Sequence, residues 1–141
     1  MGPPTIITKW QSFEPRLRSL LRIMAGFMFM LAGTTKLFAW PTAGHAGQGG
    51  GPVELMSQMG LAGVLESGGG LLLMLGLFTR PVAFIVSGEM AVAYFQAHLP
   101  QSFWPTANGG VTAALYCFIW LYFSAAGAGP WSLDAKIRRR G

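Results

Sequence analysis

The chain has 141 residues, of which 52% are hydrophobic and only 11% charged, with a mean hydropathy of +0.44. A soluble domain needs about 25% charged residues to cover its surface, so this composition excludes an ordinary water-soluble fold. The formal charge of +5 does not indicate nucleic acid, because the basic residues sit at the ends of apolar stretches, where they orient insertion and meet anionic headgroups.

In chain order, residues 1–19 are polar and punctuated by proline, and Pro15, Arg16, Arg18 and Arg22 predict a short helical lead-in with Trp10 at an interface. The start Met-Gly-Pro-Pro-Thr-Ile lacks the Ser or Thr of a myristoylation signal. Four apolar stretches follow, at about Leu20–Phe38, Leu61–Phe78, Pro81–Ala97 and Gly110–Ala126. Each holds roughly 17–20 residues, enough to cross a hydrocarbon core about 30 Å thick. The first is longer than the apolar region of a signal peptide, and Lys36 and Trp40 follow in place of a small-residue cleavage site, so it is expected to be retained.

Between the first and second stretches lies a glycine-rich segment, Thr42–Pro52, and Val53–Gly60 is expected to form a short helix on the outer surface. The second stretch carries Gly68, Gly69 and Gly70 in succession, a pattern that permits close backbone approach between membrane helices. Thr79-Arg80-Pro81 predicts a tight turn with Pro81 in the first turn of the third helix. The fourth stretch is rich in aromatic residues (Tyr116, Phe118, Trp120, Tyr122, Phe123), and Trp131 then marks an interface.

Nine of the ten lysines and arginines, all but Lys36, fall before the first stretch, at its start, in the Arg80 turn or in the C-terminal tail. Four crossings put all of these on one face, and by the positive-inside rule that face is cytoplasmic. The expected fold is therefore an all-α transmembrane four-helix bundle with both termini inside. Residues 1–19 form a cytoplasmic segment, 20–127 the membrane domain and 128–141 a basic cytoplasmic tail. The bacterial inner membrane is the expected location, with the lipid bilayer as a partner and no nucleic acid.

Charged side chains inside a bilayer cost several kcal/mol, on the order of 3 on insertion scales, so each needs a partner or a purpose. Arg22, Gly26, Phe29, Gly33 and Lys36 are spaced by four, three, four and three residues and share one helical stripe. The glycines mark a packing face, so Lys36 points inward. Glu66, in the antiparallel second stretch, lies within its reach. The pair is expected either as a structural ion pair or as the lining of a polar cavity that binds a headgroup or small ligand; a snorkelling Lys36 is the third reading. Glu89 lies near mid-membrane and is expected as a neutral acid hydrogen-bonded across helices, or as a proton-carrying or quinone-contacting acid. Gln96, seven residues on, is expected on its face. Lys36, Glu66, Glu89 and Gln96 thus form the candidate polar core.

Arg80 is expected to anchor topology and to hold the last carbonyls of the second helix. His45 and His98 form no paired helical motif, and no metal or haem site is expected from them. Cys117 is the only cysteine. It excludes a disulfide or a cysteine-rich metal site within one chain and is expected as a packing residue.

The stripe R-x3-G-x2-F-x3-G-x2-K-L-F (Arg22 to Phe38), the segment Ala62–Phe95 and the segment Ala113–Ala135 together resemble the DoxX family of small bacterial membrane proteins. The ordered set Lys36, Glu66, Thr79-Arg80-Pro81 and Ser132-Leu133-Asp134 makes the resemblance specific, with Arg22, Gly26, Phe29, Gly33, Arg80, Ser132 and Asp134 as its structural motif. The resemblance implies a four-helix bundle. It also implies links to a terminal quinol oxidase, to a thiosulfate:quinone oxidoreductase subunit and to membrane complexes that handle thiol and oxidative stress. Many relatives carry a Glu at the start of the fourth span, where this chain has Val111; that departure leaves Lys36 and Glu66 as a one-to-one pair.

The function expected from these readings is an accessory subunit of a quinone-linked redox or respiratory membrane complex. The chain binds no cofactor of its own on this reading, although it can border a quinone, and a homo-oligomer is the other expected assembly. The alternatives are an autonomous sulfur-compound:quinone oxidoreductase and a small-solute or proton-coupled transporter. No catalytic residue is assigned from the sequence.

Overall fold

A computed structural model describes residues 5–41 and 52–140. Among these the protein is all-helical, with α1 (Ile6–Gln11), α2 (Glu14–Phe38), α3 (Gln58–Leu75), α4 (Thr79–Ala93), a π-helical turn (Tyr94–His98), α5 (Pro105–Asn108), α6 (Val111–Ala126) and α7 (Leu133–Arg138). Helices α2 and α3 are long and apolar enough to cross a membrane, whereas α6 is apolar but shorter. The glycine-rich segment, with His45, lies outside the described residues. Val53–Gly60 does not form its own helix. The chain turns at Leu55 and Met56 and enters α3 directly, where the Ser57 side chain accepts from the Gly60 amide at 3.0 Å and caps the helix.

Two antiparallel pairs make the fold. Helix α2 packs mainly on α3, and α4 on α6. The first pair is close because glycines face one another. A Cβ on Gly26 would stand 2.7 Å from the Met74 amide nitrogen, and one on Gly70 would stand 2.5 Å from that of Met30. Of the three consecutive glycines, Gly70 meets α2, Gly69 meets Val86 of α4, and Gly68 meets nothing, so two of the three serve close packing. Between the pairs lies an apolar core of Ala25, Phe29, Leu73, Ala83, Val86, Met90, Ala113, Trp120 and Phe123. Outward, α2, α3, α4 and α6 leave Met28, Leu61, Phe84, Ile85, Leu115 and Phe118 exposed.

One end of the molecule gathers the start of α2, the α3–α4 turn and the tail. Arg22, fully buried, donates from Nε to the Ala128 carbonyl at 2.8 Å and from Nη1 to those of Leu73 (2.5 Å) and Met74 (2.6 Å). Its Nη2 donates to the Trp131 carbonyl. The cation thus sits on the C-terminus of α3, where the helix dipole is negative; it supplies a donor to the Met74 carbonyl and a second one to that of Leu73, which also accepts from the Gly76 amide at 3.1 Å. Gly76 permits this, since its φ is +70° and a Cβ there would stand 2.9 Å from Arg22 Cζ. From the tail, Asp134 accepts from the Phe78 and Thr79 amides at 2.8 and 2.9 Å, capping α4, while its own amide donates to Gly76 at 2.9 Å. Ser132 caps α7 by accepting from the Ala135 amide at 3.1 Å.

Arg80 departs from expectation. Its Nη1 donates to the Ser124 carbonyl at 3.4 Å and to that of Ala125, so it holds the end of α6 rather than the end of α3. The antiparallel packing of α4 on α6 brings those carbonyls beside the start of α4, and Arg22 already occupies the end of α3.

Candidate functional site

Toward the opposite end, α2 and α3 present charge to each other. Lys36 Nζ donates to both carboxylate oxygens of Glu66. The α2–α3 contact at Gly33 and Gly63 sets this pair: a Cβ on Gly63 would lie 3.2 Å from Lys36 Cβ, so the lysine stem runs along α3. The Glu66 side chain is 4% exposed and that of Lys36 26%, so the carboxylate is sealed while the ammonium keeps some contact with the outside.

Glu89 lies on α4, close enough to Glu66 and Lys36 to feel both charges. Both of its carboxylate oxygens are buried and have no hydrogen-bond partner among the described residues. Among the described residues Glu89 therefore makes no cross-helix hydrogen bond of the expected kind. The nearest polar side chain on α4, Ser87, turns instead to α6 and donates to the Cys117 carbonyl at 2.7 Å.

Gln96 does not join Glu89. The π-helical turn at Tyr94–His98 holds more residues per turn than an α-helix, so the seven-residue spacing no longer returns to the same face. Gln96 accepts from the side chain of Gln58 at the start of α3. The candidate polar core thus holds Lys36, Glu66 and Glu89, with Gln96 in an exposed pair of its own.

Tyr116 is a neighbour that the sequence reading had only as one of several aromatics. It is within electrostatic reach of Glu66, and its ring stacks on Trp120 at 5.9 Å between centroids and meets Phe29 at 5.1 Å. Trp120 is fully buried with an unpartnered Nε1, and Ser67 Oγ, beside Glu66 in sequence, is likewise unpartnered. Buried polar atoms are normally satisfied. The ion pair and the bare carboxyl thus combine proton-donating and proton-accepting capacity, and Phe29, Tyr116 and Trp120 form a flat aromatic wall.

His98 is placed elsewhere, with Nδ1 3.0 Å from the Asn108 carbonyl. There Tyr94 donates to the Phe103 carbonyl at 2.9 Å and Asn108 to that of Ser102 at 2.7 Å, a network that fixes the turn before α6. Cys117 is half-buried on α6. Among the described residues no three His, Cys, Asp or Glu side chains converge as a metal-binding group would require.

Among the described residues the chain is all-helical, with two helices long and apolar enough to cross a membrane and with apolar outward faces, the outline of a small membrane-associated helical protein. The DoxX family model matches residues 17–99, and the chain belongs to the DoxX family. An uncharacterized protein of Haemophilus influenzae is 43% identical over 135 residues, covering 92% of this chain and 97% of the relative. No solved structure matches the chain significantly.

Proposed function

We propose that this protein is a multi-pass subunit of the bacterial inner membrane that serves a quinone-linked redox or respiratory complex, with the Lys36–Glu66–Glu89 cluster bordering the quinone or the partner subunit. Helices α2, α3, α4 with its π-helical turn, and α6 are the four crossings, so residues 20–127 form the membrane domain. Residues 1–19 and the basic tail 128–141 lie in the cytoplasm. The shortest, α6, holds 16 residues, about 24 Å of helix, a length that local thinning of the bilayer accommodates, with Trp104 and Trp131 as anchors at headgroup depth.

The observation that carries the functional reading is the buried carboxyl of Glu89, whose oxygens have no partner among the described residues. A carboxyl at that depth is costly unless it serves a proton or ligand. A quinol offers hydroxyl donors to such an acid and a flat ring to the Tyr116–Trp120 stack. The chain supplies no redox centre in this scheme, so the electrons belong to the partner.

Purification in mild detergent tests it. Co-purification of a redox subunit or of bound quinone is expected, with the quinone lost in Glu89→Gln. A protein that runs alone, free of quinone and of any redox partner, sinks the proposal.

A further inference from the structure

At the arginine-rich end, a cleft of about 620 Å3 lies between the start of α4, the loop 126–130 and α7. Arg18, Arg80, Arg138 and Arg139 line it, contributed by three separate parts of the chain. The carboxylate on its wall, Asp134, has both oxygens committed to the Phe78 and Thr79 amides. Among the described residues Arg18 is the only one of the four arginines with a carboxylate partner, the more exposed Glu14 at 3.5 Å. Gly127, with φ +81°, keeps a free edge of Arg80 bare, because a Cβ there would stand 3.3 Å from Nη2 and 3.5 Å from Nε. Phe78 on the cleft wall is exposed, as are Trp131 and Ile137, next in sequence to lining residues, and Phe84 and Ile85, one helical turn on from Arg80 and Pro81 along α4. The wall therefore offers guanidinium donors at one level and apolar side chains at the next.

We propose that this cleft is a binding site for a phosphate-bearing anion, with an anionic phospholipid as the source that also uses the apolar strip and free phosphate as the other source of the same chemistry. Guanidinium forks match phosphate oxygens in pairs, and basic pockets between helices at a membrane face suit lipid headgroups. The site lies at the far end from the Lys36–Glu66–Glu89 cluster, and its lipid form rests on the membrane-spanning reading above.

The test is native mass spectrometry of the full chain released from detergent, titrated with dioleoyl phosphatidylglycerol, with dioleoyl phosphatidylcholine or with inorganic phosphate. Phosphatidylglycerol is expected to bind in discrete steps and more tightly than phosphatidylcholine. The double variant Arg138→Gln/Arg139→Gln, which alters two exposed residues, is expected to weaken its binding on the order of twentyfold. The variant Lys136→Gln/Arg140→Gln removes equal charge from the same segment outside the cleft, and is expected to weaken binding less than threefold. Equal loss in both variants, or equal binding of the two lipids, overturns the site while leaving the membrane reading intact. Saturation by inorganic phosphate at the affinity of phosphatidylglycerol overturns the lipid as its source. Failure of both lipids and of inorganic phosphate to bind overturns the site and leaves the membrane reading intact.

Discussion

Arg22 at one end of the molecule and Glu89 toward the other are buried in opposite ways, although Arg18 Nε and Thr79 Oγ1 at the arginine end also lack a hydrogen-bond partner among the described residues. At the tail end, Arg22 is fully buried and spends its guanidinium on four carbonyls from α3 and the tail segment. Asp134 completes the arrangement by capping α4. At the other end, Lys36 and Glu66 answer each other, yet Glu89, Ser67 and Trp120 keep polar atoms without partners among the described residues. A charge whose hydrogen bonds are all made within the chain fixes a fold. A charge whose neighbours remain unsatisfied is available for chemistry or for a partner. The contrast is between Arg22, a buried charge answered in full, and Glu89, a buried carboxyl left without a partner among the described residues.

Removing Arg22 is the strongest way to break this contrast. Arg22→Met leaves the carbonyls at the end of α3 and in the tail without their donor, and a loss of about 3–5 kcal/mol is expected; thermal unfolding in detergent and the yield of monodisperse protein measure it. Arg22→Lys is expected to recover only part of the loss, since an ammonium cannot span the same carbonyls.

Single disruption of the ion pair comes next. Glu66→Gln or Lys36→Met is expected to cost about 2–3 kcal/mol, below the full cost of a broken buried pair because the lysine head is partly exposed. The double variant Lys36→Met/Glu66→Gln is expected to regain most of that stability while losing quinone or partner binding. If the double variant is no more stable than the singles, the pair is not the compensated unit described.

Smaller effects sharpen the comparison. Asp134→Asn keeps one acceptor at the α4 cap and is expected to cost about 1 kcal/mol, read as a lower midpoint of thermal unfolding. Glu89→Gln is expected to change stability by less than about 0.5 kcal/mol, or to raise it slightly, because no hydrogen bond within the described residues is lost. If stability falls by as much as in Glu66→Gln, Glu89 is an architectural residue and its contrast with Arg22 fails.

Much of the helical layout was legible because hydropathy and helix register act locally. The stripe from Arg22 to Lys36 marked Gly26 and Gly33 as a packing face through the 3.6-residue repeat, the structure sets that face against α3, and the level of Lys36 near that of Glu66 was legible as well. What escaped depends on backbone. The partners of Arg22 are carbonyls, which every residue carries, so no side-chain pattern betrays them. The same is true of the α6 carbonyls held by Arg80, where closeness in sequence suggested α3 and tertiary packing chose α6. Gln96 escaped because a π-helical turn shifts register without a proline or glycine to announce it. Tyr116 was hidden among equally apolar neighbours on α6, all of them compatible with lipid.

The Asp134 cap also has a consequence for biogenesis. The residues that lock the start of α4 are separated from it by the whole of the second hairpin, so the lock closes only after residue 134 has cleared the ribosome. Until then the Phe78 and Thr79 amides lack their acceptor. Shortening the polypeptide to end at residue 131 therefore produces a different defect from extending it with a fusion: the shortened form carries every hydrophobic segment but never acquires its latch, and is expected to be recognised by membrane quality-control proteases.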